Sequence, residues 1–416
     1  MMRRRYDDSS WGQFFFDVRG LPSFFGKFRR LQRLVDWSLA HENILHLKNW
    51  DELPRVVVDK VDDFNAVLSL SIVDDKTDVM LKLAPAISAA FRGRVGAWVA
   101  RPGYVSDDEN WVRYELVDSS HSYQLRPEKL ADYRPHGDEI KLDQMHSVHA
   151  SSNSGWIIAG STGSGKSIEA LNILLQFMLM RRRSGKDSKG ESKVVEAPLL
   201  YGVDFKRGEM AKLFASSDLP RENWTTGAPG EPNVSYVLDL VIEQHEKRQA
   251  ELSNVKSITA NSWKIGHAPV VLILEEFGSG LATLPKKEAE DVVRKVKLLA
   301  MQGRSSLSGG IILISQQASA QGTGLTTDIL QQFSNKIGKG RMRPQERQYL
   351  MPGFELSEKA WPKNSGWGYL FNDALNVPVE YRGMFPNRPN ADEWLGQAII
   401  KAINKNIAIN AKLAKE

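Results

Sequence analysis

Four apolar runs of strand length recur through the second half of the chain, each followed by a segment of helical period. Trp156–Ala159 precedes Ser167–Met180, Leu199–Val203 precedes Gly208–Phe214, Val270–Leu274 precedes Lys286–Met301, and Ile311–Ser315 precedes Thr327–Gln332. Buried apolar strands alternating with helices predict an α/β fold on a mainly parallel sheet covered by helices on both faces. Between the first helix and the second strand, "RRRSGKDSKGES" is polar and turn-rich, and reads as a mobile surface loop.

The first half has a different rhythm. Short β-rich runs (Arg55–Val58, Ala66–Val73, Val112–Val117) and a small-residue helical patch at Ala84–Arg94 predict a smaller α/β domain, and "RPEKLADYRPHGDEI" reads as its connection to the next. Ahead of it, Phe14, Phe15, Phe16, Leu21, Phe24, Phe25 and Phe28 are interleaved with Arg19, Lys27, Arg29, Arg30 and Arg33. Such a stretch either lies on anionic lipid or packs its aromatic side into the first domain, and packing is the default. At the other end Trp394, Leu395, Ala398, Ile399, Ala402 and Ile403 recur at helical spacing, which predicts a helix packed on its own domain. The resulting divisions are residues 1–50, 51–135, 136–388 and 389–416.

Composition narrows the class. A chain of 416 residues that is 42% hydrophobic can bury a large core, and it is expected to be a soluble globular protein. The net charge of +5 suits a polyanionic partner without requiring one. With no cysteine, disulfides, thiolate metal sites and cysteine nucleophiles are excluded, and a cytoplasmic setting fits. The apolar runs are too short to cross a bilayer, so any attachment at the inner face of the membrane is expected to be peripheral or through a partner.

The chemistry concentrates at "GWIIAGSTGSGKS". Gly160, Ser161, Thr162, Gly163, Ser164, Gly165, Lys166 and Ser167 satisfy G-x-x-x-x-G-K-[ST] between a strand and a helix. The glycines let successive N–H groups converge on phosphates at a positive helix end. Lys166 is placed to reach the β- and γ-phosphates of ATP and Ser167 to bind Mg²⁺. A cradle alone only binds, and hydrolysis needs a carboxylate at another strand tip. "APVVLILEEFGSGL" supplies Glu275 for the Mg²⁺ shell and Glu276 to polarise the attacking water. A third strand ends at Gln316 and Gln317, amides able to sense the γ-phosphate.

Taken together, residues of about Ile140 to Phe385 resemble the motor domain of the FtsK/SpoIIIE family of DNA-translocating ATPases, related to HerA-like motors and conjugative coupling proteins. "WIIAGSTGSGKS", "LLYGVDFKRGEMAKLF", "LDLVIEQHEKRQAEL", "VVLILEEFGSG", "LLAMQGRSSLSGGIILISQQ" and "NSGWGYLFND" follow that family's motif order. The resemblance implies a P-loop NTPase (RecA-like) fold and a homo-hexameric ring that threads double-stranded DNA. It also makes Arg304 a finger completing the neighbouring subunit's site, the alternative being a cation that caps helix-end carbonyls. Ala318–Thr327 matches the family's pore loop, bringing Gly322 and Thr323 near DNA phosphates. Lys206, Arg207, Lys336, Lys339, Arg341 and Arg343 are candidates to line the same channel through sequence-independent phosphate contacts.

This chain departs from the family in having Glu275-Glu276 for Asp-Glu and Ser315-Gln316-Gln317 for Thr-Gln-Arg. Neither the family's membrane anchor nor its winged-helix reader is recognisable. The expectation is therefore a motor of a plasmid, integrative element or phage, used in conjugative transfer with a relaxase or membrane transfer component as partner. A protein-secretion ATPase and a nucleotide-gated assembly adaptor stay open as alternatives.

Overall fold

The computed structural model describes residues 27–41, 45, 53–61, 63–73, 76–91, 98–118, 123–152, 155–186, 192–356, 361 and 365–415. By its contacts the chain divides into two units. The first runs to Ser122 and takes in Phe354–Leu356 and Ala374–Val379; the second holds the rest from Tyr123 onward.

In the first unit, helix α1 (Lys27–His41) and helix α2 (Ala84–Phe91) pack on an antiparallel sheet made of β1 (Val56–Lys60), β2 (Asn65–Ser71), β3 (Trp98–Ala100), β4 (Tyr104–Val105) and β5 (Trp111–Asp118). Alternation decides which face is buried. Along β5, Val112, Tyr114 and Leu116 point inward against Leu68 and Leu70 of β2. Helix α1 buries Leu31, Leu34, Val35 and Leu39 in the same core, and Phe28 meets Trp98 edge-on at 5.8 Å. The default reading of the basic aromatic stretch holds for this part of it; Phe14, Phe15, Phe16, Arg19, Leu21, Phe24 and Phe25 lie outside the described residues.

The second unit opens with a hairpin of β6 (Glu139–Lys141) and β7 (Ser147–His149), then enters β8 (Gly155–Gly160) and α3 (Lys166–Leu179). Next come β9 (Arg182–Lys186) and β10 (Ser192–Glu196), which pair antiparallel. Within the segment expected as a mobile surface loop, Arg182–Lys186 is therefore a strand paired irregularly with Ser192–Glu196, and residues 187–191 lie outside the described residues. They are followed by β11 (Leu199–Asp204), α4 (Glu209–Ala215), β12 (Trp224–Thr225), α5 (Val234–Ser253), β13 (Val270–Glu275), α6 (Lys286–Leu307) and β14 (Gly310–Ser315). The chain closes with β15 (Asn335–Lys339), α7 (Pro344–Leu350), β16 (Trp367–Asn372), β17 (Val379–Arg382) and α8 (Ala391–Leu413).

Eight of these strands form one sheet in the order β12-β11-β13-β14-β8-β15-β16-β17. It is parallel from β12 to β15, with β16 antiparallel at the far side. Every residue of β8, β13, β14 and β15 is buried, as expected for strands covered on both faces. Helices α3, α4 and α8 pack together, as do α5 and α6. The chain runs toward β12 through α3 and α4 and back toward β14 through α5 and α6, a reversal that in right-handed βαβ topology sends the two groups to opposite faces, and the predicted α/β architecture is the one observed. The strand-end residues Gly160, Asp204, Glu275 and Ser315 all fall on one edge.

Candidate functional site

The phosphate-type loop leaves β8 at Gly160 and enters α3 at Lys166. Gly163 and Gly165 sit at φ +76° and +94°, left-handed positions that turn the backbone inward. Gly160 answers a different need, since a Cβ there would press into the carbonyl of Lys339 on the neighbouring strand. Lys166 folds back across the loop and donates to the Ser161 carbonyl at 3.1 Å. Burial pushes its ammonium below the ordinary lysine value, against the opposing pull of Glu276 and Glu275.

Because β14 lies between β8 and β13, the acidic strand tip stands one strand away from the loop. Glu275 is 2% exposed, with Lys206 Nζ at 3.6 Å from its Oε1. Its Oε2 is buried without a hydrogen-bond partner, as is Oδ1 of Asp204, which stands opposite Glu275 in the parallel register. Burial first, and the neighbouring Asp204 second, push the Glu275 carboxyl up to about 7. Glu276 is held at φ +52°, a left-handed position that a side chain with a Cβ rarely takes, at the turn from β13 into the short helix Phe277–Leu281. Such strain collects at functional sites. Burial raises its carboxyl too, while hydrogen bonds from Gln316 and the charges of Lys166 and Lys206 draw it down.

Two clefts flank the loop. One, of about 780 Å³, runs from Ser161–Ser164 past Gln316 and Gln317 to Arg341, Arg343 and Trp361. The other, of about 690 Å³, runs from Lys166, Ser167 and Gln316 past Lys206 and Glu209 to α8. The structure thus brings together Gly160–Ser167, Glu275, Glu276 and Gln316, as the sequence suggested.

The basic candidates divide. Lys206, Arg207, Arg341 and Arg343 are exposed, and Lys206, Arg341 and Arg343 stand beside the loop. Lys339 is 1% exposed and donates to Glu169 Oε2 at 3.1 Å and to the Gly366 carbonyl at 2.6 Å. It holds β15 to α3 and is not open to a DNA phosphate. Lys336 is likewise buried in β15, and Thr323 is buried with its hydroxyl bonded to Ser319 and Tyr349. These three leave the candidate interface. Gly322, next to Thr323, is half-buried and donates its N–H to Ser319 Oγ.

Arg304 is not near this chain's own loop. It lies in the last turn of α6, which enters β14 at the end paired with Gly155 and away from Gly160. Six strand residues, roughly 20 Å, separate it from the loop's edge. Its side chain is exposed and makes no hydrogen bond or ion pair with a described residue, so the helix-capping alternative has no contact to support it. The two residues beyond it are tied to α5: Arg248 donates to the Ser306 carbonyl, His245 bonds the Ser306 hydroxyl, and Gln249 donates to the Ser305 hydroxyl.

Sequence reasoning missed the part played by Asp204, although β11 ends in an acid after an apolar run just as β13 does. It also missed the α8 side chains that line the second cleft; their exposed helical positions carry no sequence signal for it.

An ion of Mg²⁺ type fits the residues present. The unpartnered Glu275 Oε2 and Asp204 Oδ1 are buried hard oxygens, and Ser167 supplies a hydroxyl in the first turn of α3, on the same side of the sheet's strand ends as the loop. Among the described residues no group of three His, Asp or Glu is placed to hold a metal alone, so phosphate or water oxygens would complete the shell. Among the described residues, too, no helix is long and apolar enough to cross a membrane.

No protein-family model matches the chain, and no curated protein matches it. Among solved structures it is similar to the conjugation coupling protein TcpA of pCW3, a monomer form with ATPgS, at 13% identity and a TM-score of 0.49, covering 89% of this chain and 99% of that one. It is also similar to a structure described as an ATPase, at 14% identity and a TM-score of 0.39, covering 65% of this chain and 99% of that one.

Proposed function

We propose that this chain is an ATP-hydrolysing motor that acts on double-stranded DNA as a ring of like subunits, with conjugative transfer of mobile-element DNA as its setting. The observation that carries the hydrolytic part is the convergence at one sheet edge of a phosphate-type loop, a buried carboxylate with an unpartnered oxygen, and a strained Glu276 bonded to Gln316. The motif order read from the sequence supports the DNA-moving part.

In this reading the loop N–H groups and Lys166 hold the triphosphate. Ser167 and Glu275 would hold Mg²⁺, which supplies charge neutralisation at the phosphates when bound. Glu276 orients and deprotonates the attacking water, with Gln316 fixing its carboxylate. Arg304 serves a neighbouring copy, because it stands a strand's length from its own loop and is free to reach outward. Lys206, Arg207, Arg341, Arg343 and the backbone at Gly322 remain the candidates for phosphate contacts, and Lys206 doubles as the counter-charge of Glu275.

The test is phosphate release with and without long duplex DNA. Duplex is expected to stimulate turnover, Lys166→Ala to abolish it, and Arg304→Ala to abolish it while sparing nucleotide binding. Mixing Arg304→Ala with Lys166→Ala should restore activity, since each supplies the half-site the other lacks. Turnover indifferent to duplex, and to Lys166→Ala, would refute the proposal. DNA binding that does not weaken as salt rises would transfer the load to a polypeptide.

A further inference from the structure

The second cleft is larger than a triphosphate cradle needs, and its far wall is α8. On that helix Leu395, Ala398, Ile399, Ala402 and Ile403 are buried in the domain, while Asp392, Glu393, Gly396, Gln397 and Ile400 line the cleft. Spacings of three and four residues place those five on one face. At about 690 Å³ the cleft is of the size that holds a small-molecule ligand.

The cleft has a basic wall and an acidic one. Lys166 of α3, Lys206 and Lys212 of α4 line it on one side, and Asp392 and Glu393 of α8 line it on the other. Phosphate is attracted to the first wall and repelled by the second, so the α8 wall suits hydroxyl donors. Glu276 and Gln316 at the strand tips fix where the terminal phosphate reacts. The opposite end of the same ligand must then run along the outer side of α3, past Ile168 and Leu171 to Ile400.

Gly396 supplies an independent observation. It sits inside a 23-residue helix, where glycine costs about 1 kcal/mol relative to alanine. Yet a Cβ there would meet no atom within 4 Å, so packing does not demand a glycine. A glycine with open space above it, in the wall of a cleft, lets a ligand approach the backbone closely.

Resting on the nucleotide reading above, we infer that α8 forms the nucleoside subsite. Asp392 and Glu393 accept hydrogen bonds from the ribose hydroxyls, and the base lies over Gly396 against Ile168, Leu171 and Ile400.

The experiment is calorimetric binding of ATP, 2′,3′-dideoxy-ATP and inorganic tripolyphosphate to the full chain, wild type beside Gly396→Trp, Gly396→Ala and Asp392→Asn/Glu393→Gln. Gly396→Trp is expected to weaken ATP at least tenfold while tripolyphosphate binds as before, and Gly396→Ala to bind both normally. Wild type should prefer ATP over the dideoxy analogue by about tenfold, a preference lost in the double variant. Unchanged ATP affinity in a folded Gly396→Trp overturns the subsite and leaves the phosphate cradle standing. Equal loss of both ligands in that variant overturns it as well. Wild type binding neither ligand would refute the nucleotide reading and this inference with it.

Discussion

Replacing Glu275 by glutamine should make the protein more stable at neutral and alkaline pH while removing a group proposed for hydrolysis. The carboxyl is 2% exposed at the end of β13, beside Asp204, and its pKa is pushed from 4.5 to about 7. Between those values the native chain keeps a proton that the unfolded chain has released. This group's contribution to stability therefore falls as pH rises from 4.5 to 7 and stays low above it. At about 1.36 kcal/mol per pH unit, ionising the buried carboxyl costs the fold about 3 kcal/mol at pH 8. Glutamine keeps the shape without the charge, but its amide must find partners, and an unmet donor returns about 1 kcal/mol or more of that gain. The expected net gain is about 1–2 kcal/mol at pH 8, turning to a loss of about 1 kcal/mol below pH 4.5, where only the unmet donor remains. Urea denaturation in Mg²⁺-free buffer from pH 4.5 to 8 measures it. A variant less stable than wild type at pH 8, or a gain equal at both ends of the series, would show that burial and Asp204 do not govern this carboxyl.

Two further predictions concern the support behind the loop. Glu169→Leu alone should destabilise the second unit by about 3–5 kcal/mol, because Lys339 is left charged and buried; adding Lys339→Met should recover most of that loss in a double-mutant cycle. Additive losses would contradict the pairing. Gly160→Ala should cost about 2 kcal/mol or more and lower tripolyphosphate affinity, since the new methyl group drives β8 from the Lys339 carbonyl; a neutral melting profile would contradict that close approach.

Much of the second unit is legible in the sequence, for a physical reason. Strands covered on both faces read as unbroken apolar runs, so β8, β11, β13 and β14 are found to within a residue or two. The same rule hides β15. "NKIGK" is wholly buried, yet two of its five residues are lysines and a third is asparagine. Glu169 and the Gly366 carbonyl satisfy Lys339, and Asn335 donates to the Gly155 carbonyl at 3.2 Å. Those partners lie 27 to 180 residues away in the chain, beyond the reach of any local pattern. The loop and its carboxylates are legible because their chemistry demands fixed spacings. The acidic end of α8 is not, because Asp392, Glu393 and Gln397 look like any solvated helix face until the fold sets α8 beside α3. Charge alone misled at Lys336 and Lys339: composition marks a lysine as basic but does not say whether it faces solvent or a carboxylate.

Strand β14 has Gln316 just past one end and the turn carrying Arg304 just before the other. It is bonded along its length by parallel neighbours on both sides and is buried throughout. Close-packed elements of this kind transmit displacement instead of absorbing it. The strand is in effect a push-rod some 20 Å long. In the motor proposed above, a shift of about a few tenths of an ångström at the amide would be passed along to the guanidinium's end of the strand, and one piece of backbone would couple the two.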